Sequence, residues 1–349
     1  MNIREFDYAL SPDLIAQEPL DERDASRLMV VGRATGAVEH RTFADLPDLL
    51  RDGDLLVLND TRVVPARLEG KKGTGGRVEA LLVERTGGLD DAPEWECLTR
   101  SSKPLRPGER IDFGDGLSAV LVRRSEDRSV LRFEDARGRI LEALALDGRV
   151  PLPPYIERSD ADPRAEVDRE RYQTVFARVP GAIAAPTAGL HFTPRILDVL
   201  RRRGVQTAFL TLHTGIGTFL PVRVDRVEDH RMHPERFDLP ETAVEAVRRA
   251  RERGGRVVAV GTTVVRTLEG RATAERTVVA GSGRCDLFIY PGYAFRVVDA
   301  LVTNFHLPRS TLLMLVCAFA GRQNVLSAYQ EAVRLRYRFY SYGDAMLIG

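Results

Sequence analysis

Lysine is nearly missing from this chain of 349 residues: Lys71, Lys72 and Lys103 stand alone among 51 basic residues, and arginine supplies the rest. So broad a bias reflects composition, and no single arginine is by itself a sign of phosphate binding. Net charge is missing too. The 51 basic residues meet 50 acidic ones, leaving +1, so a nucleic-acid site would have to be a local patch and not a whole-protein field. The three cysteines, Cys97, Cys285 and Cys317, lie far apart with no CxxC spacing. That argues against a structural zinc site and fits a reducing, cytoplasmic compartment. No apolar run is long enough to span a bilayer, the longest being TLLMLVCAFAG from Thr311, and the N-terminal MNIREFDYALSPDLIAQEPL lacks a signal-peptide core. With 44% hydrophobic and 29% charged residues and no low-complexity tract, the expectation is a globular protein with no membrane partner.

Leu55 to Leu58 is a continuous apolar run ending in Asn59 and Asp60, the pattern of a buried α/β strand. From Val63 to about Val150 the pattern changes to short alternating segments, RVEALLVER, EWECLTR, SAVLVRR and SVLRFED, separated by Gly, Pro and Asp turns, which predicts a small antiparallel β-barrel or sandwich. After PLPPYIERSD, helices and strands alternate. TPRILDVLRRRG has Thr193 as N-cap, Pro194 at the first helical position and Gly204 as terminator. VQTAFLTLH, RVVAVG, CDLFIY and DALVTNFH read as strands, and LPETAVEAVRRARERGG, TTVVRTLEG and PRSTLLMLVCAFAG as helices. The fold class expected is α/β: a mostly parallel sheet flanked by helices, built from residues 1–61 and 151–349, with a β-barrel inserted over 62–150.

In an open α/β sheet the ligand lies beyond the carboxyl ends of the strands. The polar residues there are Asn59, Asp60, Thr61 and Arg62; His213, Thr214, Gly215 and Gly217; Gly261, Thr262 and Thr263; Tyr290; Asn304 and His306. PTAGLHFT adds His191. Each has a plain alternative: the threonines serve as helix caps, the lone GxG as a turn, and a strand-end histidine as a satisfied structural residue. Nothing matches HExxH or a carboxylate pair at ligand spacing, so no metal is expected. The denser HRMHPERF, with His230, His233 and Glu235, is broken by Pro234 and reads as a recognition loop or solvated charge. At RLRYRFYSYGDAML, Arg336 and Arg338 interleave with aromatics, either a surface for stacked bases and phosphates or an amphipathic helix running into a strand.

Taken together, DYALSPDLIAQEPLDERDASRLMV, LVLNDTRVVPARLEG, RYQTVFA, APTAGLHFT, LHTGIGTFLPV, HRMHPERF, VGTTVVRTLE, FIYPGYAFRVVDALVTNFHLPRSTLLML and YRFYSYGDAMLI resemble the S-adenosylmethionine:tRNA ribosyltransferase-isomerases of queuosine biosynthesis, from about residue 5 to the last. Thr214 stands where that family usually has Val, and Phe176 where it has Tyr. The resemblance implies a two-domain enzyme with an inserted barrel. It also implies the reaction: the ribosyl part of S-adenosylmethionine passes to 7-aminomethyl-7-deazaguanine at the wobble position of tRNA, giving epoxyqueuosine-tRNA, adenine and methionine. S-adenosylmethionine is then a co-substrate and no cofactor is needed; a monomer is expected.

Such a reaction asks for a base near neutrality, a proton donor for adenine and a cavity that excludes water. His191 and His213 are the candidates for base and acid, in either order, with Asp60 orienting one of them or holding ribose hydroxyls. Gly189, Gly215 and Gly217 would bring backbone amides to the ligand. Arg62 and Arg266 suit a carboxylate or phosphate. Asn59, Thr187, Thr218, Tyr290, Asn304, His306 and Tyr342 complete the expected substrate pocket, and Arg336 and Arg338 the RNA contact. The rivals are an ordinary methyltransferase, for which LVLNDTRVV lacks the glycine-rich loop, a metal-dependent hydrolase, and a non-catalytic tRNA-binding protein.

Overall fold

The apolar run at Leu55 becomes the strand Leu55–Asn59, buried along its whole length. A strand with no polar face must be covered on both sides. The computed structural model describes residues 1–89, 92–125, 128–135, 148, 150–159, 162–215, 222 and 224–349. They divide into one unit of Met1–Arg62, Pro154–Glu157 and Arg171–Gly349 and a second of Val63–Pro153 and Arg158–Glu170.

The first unit holds a nine-stranded sheet in the spatial order Gly281–Cys285, Glu235–Leu239, Gln206–Leu212, Leu55–Asn59, Val257–Val260, Ala300–Asn304, Ala345–Ile348, Arg27–Val31 and Val38–Thr42. Side chains alternate across it, as the two-residue period of a strand requires. Leu55, Val57, Val257, Ala259, Leu301 and Met346 face one core with the helices Glu241–Glu252, Thr262–Gly270, Thr311–Ala320 and Arg322–Arg334. Leu56, Leu58, Val258, Val260, Val302 and Leu347 face the other, under the helix Pro194–Arg202. That helix starts as its sequence predicts, with the Thr193 hydroxyl accepting from the N–H of Ile196 at 3.2 Å. It stops at Gly204, whose φ of +80° and closeness to Asp52 leave no room for a Cβ.

The sheet is mixed, which corrects the expectation of a mostly parallel one. Leu55–Asn59 runs parallel to both neighbours, and Val257–Val260 is parallel to Ala300–Asn304. The outer strands arrive differently. Val38–Thr42 returns on Arg27–Val31 as an antiparallel neighbour, Glu235–Leu239 turns back on Gln206–Leu212 with no α-helix between them among the described residues, and Ala345–Ile348 enters antiparallel to Ala300–Asn304. CDLFIY is also placed differently: the strand is Gly281–Cys285 and ends where that segment begins.

Two side chains bolt the central strand to its neighbours. At its start the Asp54 carboxylate accepts from the N–H groups of Arg51 and Arg256 at 2.9 and 3.0 Å and from the Arg256 guanidinium at 2.6 Å. Burial works against this charge, yet those hydrogen bonds hold Asp54 below the usual carboxylate range. At its end Asn59 accepts from the N–H groups of Leu212 and Thr61 at 3.0 and 3.1 Å, and donates to the Leu212 carbonyl at 2.9 Å and the Thr263 hydroxyl at 3.3 Å.

The second unit is a closed antiparallel barrel in the order Ser129–Asp135, Ala92–Ser101, Arg77–Leu89, Arg67–Lys72, Arg110–Gly114 and Leu117–Arg124, the last strand pairing with the first. Its interior is filled by Leu68, Val78, Ala80, Leu121, Leu131 and Phe133. Closure leaves no exposed strand edge. Arg158 and Asp168 form a buried pair at 2.6 Å within this unit.

Asn59→Ala leaves a backbone donor and acceptor of Leu212 without their side-chain partner and is expected to cost about 3 kcal/mol. Urea unfolding monitored by circular dichroism measures it, and a loss under about 1 kcal/mol would mean that the bolt is dispensable.

Candidate active site

A cavity of about 470 Å³ opens where the chain leaves Val257–Val260 and Ala300–Asn304. Its wall comprises Gly261 to Thr263 after the first strand, Thr303 to Leu312 at the second, Ala184 to Ala188, Tyr155, Tyr172, Thr214, Val222, Arg266, Tyr340 and Ser341. This is the crevice beyond the carboxyl ends, beside the point where strands are added to opposite sides of Leu55–Asn59. Two helices begin on it. Thr262–Gly270 starts after Gly261, at φ +90°, and Thr311–Ala320 starts after Ser310, whose hydroxyl accepts from the N–H of Leu313 at 3.2 Å. Their positive ends favour an anion. Among the described residues, Arg266 and Arg309 are the charged members of the wall and no carboxylate belongs to it. Tyr155 and Tyr340 pack with ring centroids 4.5 Å apart, and Arg309 and Tyr340 both sit at positive φ, +58° and +70°. Backbone strain of this kind gathers at functional sites.

Of the residues expected to bind substrate, Thr187, Arg266, Asn304 and His306 lie in this wall. Arg266 is spent within the protein. It pairs with buried Glu235 and donates to the carbonyls of Leu287 and Cys285 at 3.0 and 3.1 Å, while Glu235 also accepts from the N–H of Gly215 at 3.1 Å. His306 is buried, with Nε2 2.8 Å from the Thr303 hydroxyl and its backbone carbonyl accepting from Tyr8 at 2.5 Å.

His191 stands behind the wall. Its Nδ1 lies 2.7 Å from the Ser26 hydroxyl, its Nε2 lies 3.1 Å from Asn304 Nδ2, and its ring stacks on Phe43 at 5.0 Å. Burial, reinforced by Arg23 and Arg338, lowers its pKa to about 3, so it is neutral with both nitrogens engaged. His213 is only part-buried. Its Nδ1 is 2.8 Å from the Thr61 hydroxyl; burial and Arg236 depress its pKa, while Asp60 opposes them. Gly181 is part of its seat, because a Cβ there would come within 2.7 Å of the imidazole. Asp60 accepts from Thr211 and Arg178 at 2.6 and 2.7 Å.

The remaining candidates are scattered. Arg62 is exposed, and Asn59 is the structural bolt that also fixes Thr263. Gly189 is tight for packing: a Cβ would fall 2.8 Å from Phe176 and Thr174, and its N–H already donates to the Pro186 carbonyl. Tyr290 packs on Phe288 at 5.1 Å, and Tyr342 meets the edge of Tyr172 at 5.8 Å. Gly217 and Thr218 lie outside the described residues. Tyr337, Phe339, Tyr340 and Tyr342 are all buried, Tyr340 in the cavity wall, so the C-terminal aromatics form no exposed surface for stacked RNA bases. Arg336 is exposed and pairs with Asp13 at 2.6 Å, whereas Arg338 bonds inward to the Glu18 carbonyl. Tyr155, Ser310 and Tyr340 line the cavity but were not among the expected substrate residues. Ser310 had a signal, an N-cap before an apolar helix that follows a strand end, and Tyr340 belonged to the arginine–aromatic segment read as an RNA surface; Tyr155 had none. Among the described residues no group of three or more His, Cys, Asp or Glu side chains could hold a metal ion, and no single helix is long and apolar enough to cross a membrane.

The fold is that of a mixed α/β protein with a cavity at a sheet switch point and a closed β-barrel as a second unit. The chain belongs to the family described as queuosine biosynthesis protein, whose model matches residues 3–348. It is 56% identical over 349 residues to the S-adenosylmethionine:tRNA ribosyltransferase-isomerase of Geobacter metallireducens, with all of both chains covered. With the enzyme of the same name from an Anaeromyxobacter species it shares 57% identity, covering 100% of this chain and 99% of the relative. The crystal structure of the S-adenosylmethionine tRNA ribosyltransferase of Thermotoga maritima superposes with a TM-score of 0.56 at 41% identity, covering 99% of this chain and 100% of that one.

Burial also lowers the pKa of His306 to about 3. Unfolded, both His191 and His306 titrate near 6.5. Between those values the unfolded chain binds protons that the folded chain refuses. Stability from each is therefore full above pH 6.5 and falls on acidification, by about 1.4 kcal/mol per pH unit per histidine. Urea midpoints measured from pH 7.5 to 5 should fall steeply, with His306→Gln removing part of the slope; a flat profile would contradict the buried neutral state.

Proposed function

We propose that this chain transfers and isomerises the ribosyl moiety of S-adenosylmethionine onto 7-aminomethyl-7-deazaguanine at the tRNA wobble position, releasing adenine and methionine and leaving epoxyqueuosine. The family match over residues 3–348 carries this reading. The cavity is the proposed co-substrate site: its two helix N-termini suit the methionine carboxylate, and the Tyr155–Tyr340 pair suits a flat ring.

The sulfonium acidifies the adjoining ribose methylene. A base removes that proton, adenine leaves with one proton returned to it, and the precursor amine attacks the activated sugar before rearrangement to the epoxide expels methionine. His191, neutral and held at both nitrogens, is proposed to position the wall, not to move protons. His213, whose Nε2 has no hydrogen-bond partner among the described residues, takes the proton-transfer role, with Asp60 adding negative charge nearby. Arg336, exposed beside Asp13, is the proposed contact to a tRNA phosphate.

Adenine released from S-adenosylmethionine and quantified by chromatography tests the reaction: it should appear with precursor-bearing tRNA and not with tRNA lacking the modified base. His213→Ala should lower that rate by about 100-fold or more while S-adenosylmethionine still binds; near-normal turnover would remove His213 from the chemistry. Arg336→Ala should weaken tRNA binding and reduce its logarithmic salt slope by about 1. An unchanged slope would place the phosphate contact elsewhere.

A further inference from the structure

Among the described residues, four buried polar atoms without a hydrogen-bond partner belong to the cavity wall: the hydroxyls of Tyr172, Thr214 and Tyr340, and Oδ1 of Asn304. A hydroxyl can donate or accept, so three of the four say little about what they await. Asn304 is different, because its neighbours fix which way the amide points. Its Nδ2 lies 3.0 Å from the carbonyl oxygen of Tyr340, which can only accept, so the NH₂ group must be on that side. The second N–H of the same group meets His191 Nε2 at 3.1 Å. A neutral histidine whose Nε2 accepts must carry its proton on Nδ1, and Nδ1 meets the Ser26 hydroxyl at 2.7 Å. Both amide hydrogens are used, and Oδ1 remains as an acceptor of defined sense that calls for an N–H or O–H donor.

We propose that Asn304 Oδ1 is the specificity-determining contact to the exocyclic amine of the adenine ring of S-adenosylmethionine, and that His191 is the positioning residue that keeps it an acceptor. This rests on the function proposed above. A neutral aromatic amine fits better than the methionine ammonium, since among the described residues no carboxylate lies in the wall to pair with a buried cation. The aromatic surface is also on this side: the residue whose carbonyl anchors Asn304 is Tyr340, which packs on Tyr155 at 4.5 Å. The amide thus reads the edge of a flat ring that the tyrosines would hold by its face.

The test compares S-adenosylmethionine with its analogue lacking the 6-amino group, by calorimetric titration of the full chain. The unaltered protein should bind the analogue roughly 10- to 100-fold more weakly, the effect of leaving a buried acceptor unpaired. Asn304→Ala should bind the two ligands about equally. His191→Phe, which keeps a ring against Phe43, should narrow the ratio because the amide loses one of its anchors. Equal binding of both ligands by the unaltered protein, or an unchanged ratio in Asn304→Ala, would overturn the assignment while leaving the reaction intact. Absence of any S-adenosylmethionine binding would overturn the proposed function itself.

Discussion

Everything at the site hangs on the central strand being held at a fixed height against its neighbours. Leu55 to Leu58 supply burial but no register of their own, since neighbouring leucines and valines are interchangeable in a greasy sheet. Asp54 and Asn59 remove that freedom, because each binds backbone groups of an adjoining segment at a unique position. Asn59 reaches further, to the hydroxyl of Thr263 in the first turn of a helix that lines the cavity. A residue that sequence position suggested as a ligand contact thus acts one step back, by placing a wall residue.

The same displacement applies to the histidines. Titration near neutrality made His191 attractive as a base, but a buried imidazole beside two arginines is neutral, and its lone pair is already committed to Asn304. What the site gains from it is a second hold on that side chain. A carboxamide can present either end to a ligand; the Tyr340 carbonyl decides which, and His191 engages the second amide hydrogen. His213 is part-buried, with only its Nδ1 engaged among the described residues, which is why the proton-transfer role is proposed for it.

The alternating pattern of residues 63–150 made the barrel legible, and the caps of Pro194–Arg202 were readable to the residue, because both depend on local chemistry. The mixed sheet was not, since strand direction at the edges depends on which chain segments meet. Arg27–Val31 and Ala345–Ile348 carry no local mark of their pairing. The site divides in the same way: strand-end rules located Asn304, His306 and the Thr262 turn, while Tyr155 and Tyr340 reach the cavity from loops whose course only tertiary contacts define.

That long-range pairing bears on how the molecule is made. The N–H of Arg27 binds the Asp344 carboxylate across a separation of 317 residues, and the neighbouring strands pair over the same span. During synthesis the early strand can close against Val38–Thr42 at once, yet its other edge waits for a segment that emerges 317 residues later. The cavity needs Tyr340 and Ser341 from that late segment, so the sheet is completed and the binding site acquires its last wall at the same stage of folding. A nascent chain could build its barrel early, but it would have no competent cavity in which to start a reaction it could not finish.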